Sequence, residues 1–300
     1  MLRNGFQSRT PLRTFPAHLL LALLLPALLA VWGCSSRIDL PAITPDAGHL
    51  RYPGKFVWFD LYTTDIDAAA QFYDRVLGWS VERADPGSPR VKTILNGNHR
   101  IGSVFLIGGR GGEPGWVPSL SVADADAAHA AALRAGARSV RPPKDRPYRG
   151  RSAEIRDPQN ARLELLVSSV GDPRDRAPEE GAFMGAELWT PDPDAAVKFY
   201  TGLAGYRAAR LNLRHGPYVM LLGDNRPRAG ITAPLAPVSA PLWIPQVAVR
   251  DVAGVIRRVE TFGGTVLLRP APGDKTNPVA VFRDPAGGLM GVRGFTPVED

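Results

Sequence analysis

The chain has one cysteine, Cys34, in 300 residues. A single thiol excludes an internal disulfide framework and any zinc site built from several thiolates. Histidine is scarce as well: only His18, His49, His99, His129 and His215 occur. No Walker-type loop, dinucleotide fingerprint, zinc-protease pair or nucleophile elbow stands out, and no Ser and His are spaced to suggest a triad. Acidic residues are missing from the first eighteen positions, which carry Arg3, Arg9, Arg13 and His18. The formal charge of +7 falls to +4 without those three arginines. That is too mild to imply nucleic-acid binding. The chain is 44% hydrophobic and 22% charged, a soluble globular composition that leaves the chemistry open.

Leu19 to Gly33 is an uncharged apolar run broken by Pro26, shorter than the roughly twenty residues of a bilayer-crossing helix. A basic start, a short apolar centre and a small residue before a cut form the secretory-signal pattern, here over residues 1–33. Val31-Trp32-Gly33-Cys34 resembles the bacterial lipobox, which implies that Cys34 becomes the lipidated first residue of the mature chain. Ser35 and Ser36 follow instead of Asp, which by the same resemblance favours the outer membrane, facing the periplasm. The plainer readings are a secreted protein with a stray thiol, or an uncleaved anchor. Residues 34–54, with Pro41, Pro45 and Pro53, read as a tether without packed structure.

Behind the leader the sequence repeats itself. Asp60-Leu61, Asp67-Ala68-Ala69, Phe72-Tyr73 and Gly78 return 127 residues later as Glu187-Leu188, Asp194-Ala195-Ala196, Phe199-Tyr200 and Gly205. At the same spacing Trp116-Val117-Pro118 returns as Trp243-Ile244-Pro245, and Arg156-Asp157-Pro158 as Arg283-Asp284-Pro285. So many agreements require two homologous domains, placed at 55–168 and 182–296 around a linker at 169–181. Within each domain a fainter echo, Asp65 with Asp124 and Asp192 with Asp251, divides it into two modules.

Each module opens with a strand on which Trp58, Asp60 and Tyr62 alternate with Phe59 and Leu61. A helix follows, capped by Thr64 or Asp65 and stopped by Gly78 near Leu77. Phe72 and Tyr73 are expected to pack it onto the sheet. Asn96-Gly97-Asn98 signals a hairpin, and Asp157-Pro158 and Asp284-Pro285 a turn before a closing strand.

Paired strand-helix-strand-strand-strand units with these motifs resemble the vicinal oxygen chelate superfamily of glyoxalases, bleomycin-resistance proteins and extradiol dioxygenases. The resemblance implies an α+β fold of four βαβββ modules in two tandem glyoxalase-like domains. For function it implies little, because such a fold hosts many chemistries. In members that bind a divalent ion, about four ligands come from the first and last strands of paired modules. Asp60 and Glu164 are candidates in one domain and Glu187 and Gln246 in the other, while Gly291 stands where a Glu would be wanted. Two donors per domain are too few for a tight transition-metal site, so no cofactor is expected. A divalent metal stays open as the alternative.

Asp60 and Glu187 lie on otherwise apolar strands, where an unpaired carboxylate is costly. Each either points into a cavity, as a polar anchor or general base, or is satisfied by an arginine or backbone donors. Glu164 reads as structural in the absence of metal partners. The cluster Arg138, Arg141, Lys144, Arg146, Arg149 and Arg151 reads as a solvated loop or as a mouth attracting an anionic ligand or headgroup. The leading expectation is an envelope-anchored, metal-free binder of a small organic molecule, with Trp58, Tyr62 and Trp189 lining its pockets and Asp60 and Glu187 as anchors. The alternatives are a metal-dependent lyase, isomerase or dioxygenase, with Asp60 or Glu187 catalytic, and a structural module with closed cavities.

Overall fold

The computed structural model describes residues 1–2, 40–44, 48–83, 88–108, 112–274 and 278–296. The leader beyond its first two residues, and with it Cys34, lies outside the described residues. Met1–Arg37 and Ile38–Asp300 are separate units, and both repeats belong to the second.

Alternation of side chains sets the strands and caps set the helices. In the first half these are β1 (Phe56–Thr63), α1 (Ile66–Leu77), β2 (Ser80–Arg83), β3 (Val91–Asn96) and β4 (His99–Leu106), then β5 (Gly115–Ser121), α2 (Ala125–Arg134), β6 (Arg138–Arg146), β7 (Gly150–Arg156) and β8 (Arg162–Ser168). The second half repeats the order as β9 (Phe183–Trp189), α3 (Pro193–Ala204), β10 (Arg207–Leu213), β11 (Gly216–Gly223), β12 (Arg226–Thr232), β13 (Leu242–Val249), α4 (Val252–Thr261), β14 (Thr265–Leu268), β15 (Val279–Arg283) and β16 (Leu289–Gly294). Asp65 caps α1 by accepting from the Asp67 and Ala68 N–H groups, and Gly78 ends it at φ 74°, a conformation open to glycine. The fold is therefore α+β, four βαβββ modules in two tandem domains.

Each half is one eight-stranded sheet, ordered β2-β3-β4-β1-β5-β8-β7-β6 and β10-β11-β12-β9-β13-β16-β15-β14. The modules of a half meet where β1 runs antiparallel to β5, with parallel β1–β4 and β5–β8 pairs on either side. Four strands thus converge at each centre, and the register sets Asp60 opposite Ser103 and Ser119 opposite Glu164. The repeat places Glu187 opposite Gly230 and Gln246 opposite Gly291.

The other faces of the sheets carry the helices and one core that runs through both halves. Here α1 rests on α4 and α2 on α3. Phe59 stacks on Phe183 with centroids 4.0 Å apart, and Phe56 meets Trp243 at 4.9 Å. Phe72 and Tyr73 do not serve their own sheet alone: Phe72 lies 6.0 Å from Phe282, and the Tyr73 hydroxyl donates to Asp284 Oδ2 at 2.8 Å. Trp116 Nε1 donates to that same hydroxyl at 3.0 Å. The repeat runs the relay in the opposite direction: Trp243 Nε1 donates to the Tyr200 hydroxyl at 3.0 Å, and Tyr200 to Asp157 Oδ2 at 2.9 Å. The second oxygen of each aspartate holds its own turn, Asp157 accepting from the Gln159 and Ala161 N–H groups and Asp284 from those of Ala286 and Gly288. The aromatic pair, the Trp-x-Pro start and the Asp-Pro turn are therefore parts of one lock between the halves.

Two stretches differ from their sequence reading. The expected tether is packed where it is described: Ile43 is buried against Val57, Trp58 and Leu166, and Arg51 and Tyr52 bond Ser168 and Asp172. Apolar Ile43 finds a concave sheet face to cover, which outweighs the prolines around it. The basic run is not a single loop: Arg138–Arg146 is the edge strand β6, with register shifts between Ser139 and Arg141 and between Arg141 and Lys144, Arg149 stands in the turn after it and Arg151 on β7. An edge position with bulges tolerates Pro142 and Pro143, which a central strand would not.

Candidate functional site

The concave faces are built from the central strands. In the first half Trp58, Asp60 and Tyr62 share one face of β1 and are all largely buried. Trp58 Nε1 donates to Asp60 Oδ1 at 2.9 Å and to Ser103 Oγ at 3.2 Å. Arg149, 0% exposed, sends Nη1 to Asp60 Oδ2 at 3.4 Å, Nη2 to Ser103 Oγ at 3.0 Å and Nε to the Pro41 carbonyl at 3.0 Å. Its guanidinium also lies 4.8 Å from the Trp58 ring, a cation–π contact. Burial pushes the Asp60 carboxyl up to about 6; Arg149 opposes this and the nearby Glu164 adds to it.

The rest of that face is charge-balanced. Glu164 accepts from Ser119 Oγ at 2.6 Å. Glu154, opposite Glu164 in the ladder, is held by Arg141 at 2.5 Å and Arg162 at 2.9 Å. Arg141 also reaches the Tyr62 hydroxyl at 3.3 Å, and the Tyr62 ring stacks on Phe105 at 5.1 Å with Arg162 4.9 Å away. Burial pushes the Tyr62 hydroxyl up to about 12. Asp60, Glu154 and Glu164 thus face Arg141, Arg149 and Arg162. Two of those arginines come from the basic cluster, and a third, Arg151, is spent on Asp126 and Asp145.

In the second half Glu187 accepts from Trp189 Nε1 at 2.8 Å and from Arg293 Nη2 at 3.3 Å. Burial pushes the Tyr218 hydroxyl up, and the Glu187 charge adds to it. Glycines shape this floor: a Cβ at Gly230 would lie 1.9 Å from the Tyr218 oxygen, and one at Gly291 would lie 2.4 Å from the Gln246 amide. Gln246 therefore fills the space that a Glu at position 291 would take. Its Nε2 makes one long contact, 3.4 Å, to the Ile244 carbonyl, and its buried Oε1 has no hydrogen-bond partner. Toward the loop at 235–242, Trp189 is covered by Ile244, Val281, Leu289, Leu235 and Leu242.

The expected residues Trp58, Asp60, Tyr62 and Glu164 thus meet on one concave face, and Glu187, Trp189 and Gln246 on the other. The roles of Ser103, Arg149, Tyr218 and Arg293 were not read from sequence. The basic run that contains Arg149 is plain in sequence, but nothing in it points to Asp60, 89 residues away. His129, buried in α2, bonds Ser139 Oγ at 2.8 Å, and among the described residues no three His, Cys, Asp or Glu side chains gather as a metal cluster.

Residues 55–165 match the Glyoxalase/Bleomycin resistance protein/Dioxygenase superfamily, and residues 185–292 match the family described as a glyoxalase-like domain. The "Putative glyoxylase CFP32" of Mycobacterium bovis is 28% identical over 241 residues, covering 78% of this chain and 92% of that protein. The anthracycline biosynthesis protein DnrV of Streptomyces peucetius is 29% identical over 240 residues, 73% of this chain and 86% of its own. The Mn(II)-bound glyoxalase from Novosphingobium aromaticivorans superimposes with a TM-score of 0.54 at 19% identity, over 82% of this chain and 83% of its own.

Proposed function

This chain is a tandem-domain member of the glyoxalase, bleomycin resistance protein and dioxygenase superfamily, and from that membership we propose that its second half binds a small organic molecule without a metal while its first half serves as a sealed scaffold. The observation that carries this is the asymmetry of the two floors. In the first, each buried carboxylate has a hydroxyl or guanidinium partner, Glu154 Oε2 being held by Arg141 as an ion pair without a hydrogen bond, and Arg149 places a fixed cation against Asp60. In the second, a buried amide oxygen, Gln246 Oε1, is left without a partner on the same face as Glu187. A buried polar atom without a partner costs about 1–3 kcal/mol, which a bound donor would recover.

The donor sets do not suit a divalent ion. The four central positions are Asp60, Ser103, Ser119 and Glu164 in one half and Glu187, Gly230, Gln246 and Gly291 in the other. Two glycines leave the second set with two side-chain donors, and an ion in the first would have to displace Arg149 from Asp60.

Mass spectrometry of small molecules that co-purify with the protein tests this. An organic compound should be retained by the wild type and by Arg141→Gln, and lost from Gln246→Leu and Glu187→Ala. Stoichiometric Mn, Fe, Ni or Zn in the purified protein would overturn the metal-free reading. We further propose that lipid on Cys34 holds the protein at the bacterial envelope. Cys34→Ser should move it from the membrane to the soluble fraction, and unchanged partition would sink that part.

A further inference from the structure

Between the halves a cleft of about 370 Å³ opens at the mouth of the lock, sharing Arg162 with the first floor and Leu242 and Leu289 with the cover of the second. Its walls follow the repeat: Pro114 and its copy Pro241, Trp116 and its copy Trp243, and Arg156 and its copy Arg283 all line it. The cleft therefore straddles the pseudo-two-fold axis, and its two sides should be chemically alike. They differ at four places: Gly115, Asn160 and Arg162 on one side are replaced by Leu242, Gly287 and Leu289 on the other, which makes the second side the more apolar, and the fourth difference removes a carboxylate. On one side Arg156 is bound by Glu113 at 2.6 Å and donates to the Asn160 carbonyl at 3.1 Å. On the other, the copy of Glu113 is Ala240, and the half-buried Arg283 has no side-chain hydrogen bond or ion pair among the described residues. Apart from Ser239, the remaining wall there is apolar, from Val238, Pro241, Leu242 and Leu289.

We propose that this cleft is a binding site for a small organic monocarboxylate, whose carboxylate takes on Arg283 the place that Glu113 takes on Arg156. The fork of a guanidinium matches a carboxylate at two points, which a point charge does not. The apolar wall gives the body of the ligand surface to bury. Glu113 supplies the geometry inside the same molecule.

The probe is benzoate, with neutral benzamide as its isostere, titrated by isothermal calorimetry into the full protein. Benzoate should bind at one site with an affinity in the millimolar range or better, on the order of tenfold above benzamide. Arg283→Gln should weaken benzoate at least tenfold. Ala240→Glu, which builds the missing carboxylate at an exposed position, should abolish binding and leave the melting temperature within a few degrees. Equal binding of benzamide, or benzoate binding unchanged in Arg283→Gln and Ala240→Glu, would overturn the proposal, as would the absence of saturable benzoate binding to the wild type.

Discussion

Asp60 lies on a strand whose neighbours exclude water, and its charge survives there only through Trp58, Arg149 and the structure that holds them. Removing one member of such a pair costs more than removing both, because an orphaned buried charge is left behind. Arg149→Met should therefore lower the unfolding free energy by about 3–5 kcal/mol, and Asp60→Asn with Arg149→Met should recover a large part of it. Urea denaturation of the four proteins in the cycle checks this, and additive effects would contradict the pairing. The raised Asp60 pKa has a pH consequence. Between the ordinary 3.8 and about 6 the folded state keeps a proton that the unfolded state has released. Stability therefore falls as pH rises through that window and levels off above it. The wild type should lose on the order of 3 kcal/mol there, a slope that Asp60→Asn lacks. Asp60 and Glu187 were visible in sequence as acids out of place on apolar strands. Their cationic partners were not, because Arg149 is 89 residues from Asp60 and Arg293 is 106 from Glu187.

Helix ends and hairpin turns were legible because their chemistry is local, as Asp65, Gly78 and the Asn96-Gly97-Asn98 turn show. Elements stabilised by distant contacts were less so. Pro142, Pro143 and a dense positive charge made β6 look like a loop, although its pairing to β7 overrides both. The segment at 40–44 is the stronger case, since nothing in its composition says that Ile43 has a seat. Ile43→Ala should cost about 2 kcal/mol by leaving a cavity over Trp58. It should also raise amide exchange in residues 48–54 and around Arg149, whose Nε would lose its hold on the Pro41 carbonyl. Unaltered exchange there would mean that the segment contributes nothing to closing the first floor.

At the scale of the whole molecule the duplication was plain from spacing, but the direction of its contacts was not. Trp116 to Tyr73 and Tyr200 to Asp157 are both 43 residues apart, yet the first bond is made within a half and the second between halves. Interval alone cannot separate those cases. Tyr73→Phe and Tyr200→Phe each remove a hydroxyl that joins a buried Trp donor to a buried Asp acceptor, so each should cost about 1–3 kcal/mol. Calorimetry should show one transition for the wild type and two for the double variant, as halves that shared a core begin to melt apart. A single, merely shifted transition would mean that the shared apolar core alone couples them.

That reciprocal fastening also bears on how the sequence can drift. A change in either tyrosine or either turn aspartate is felt by the opposite copy, so the four must be inherited as a matched set. The two floors carry no such obligation, and one has Gly230 and Gly291 where its twin has Ser103 and Glu164. Doubling of this kind lets the two cradles differ in lining while the fastening between them keeps the pair together.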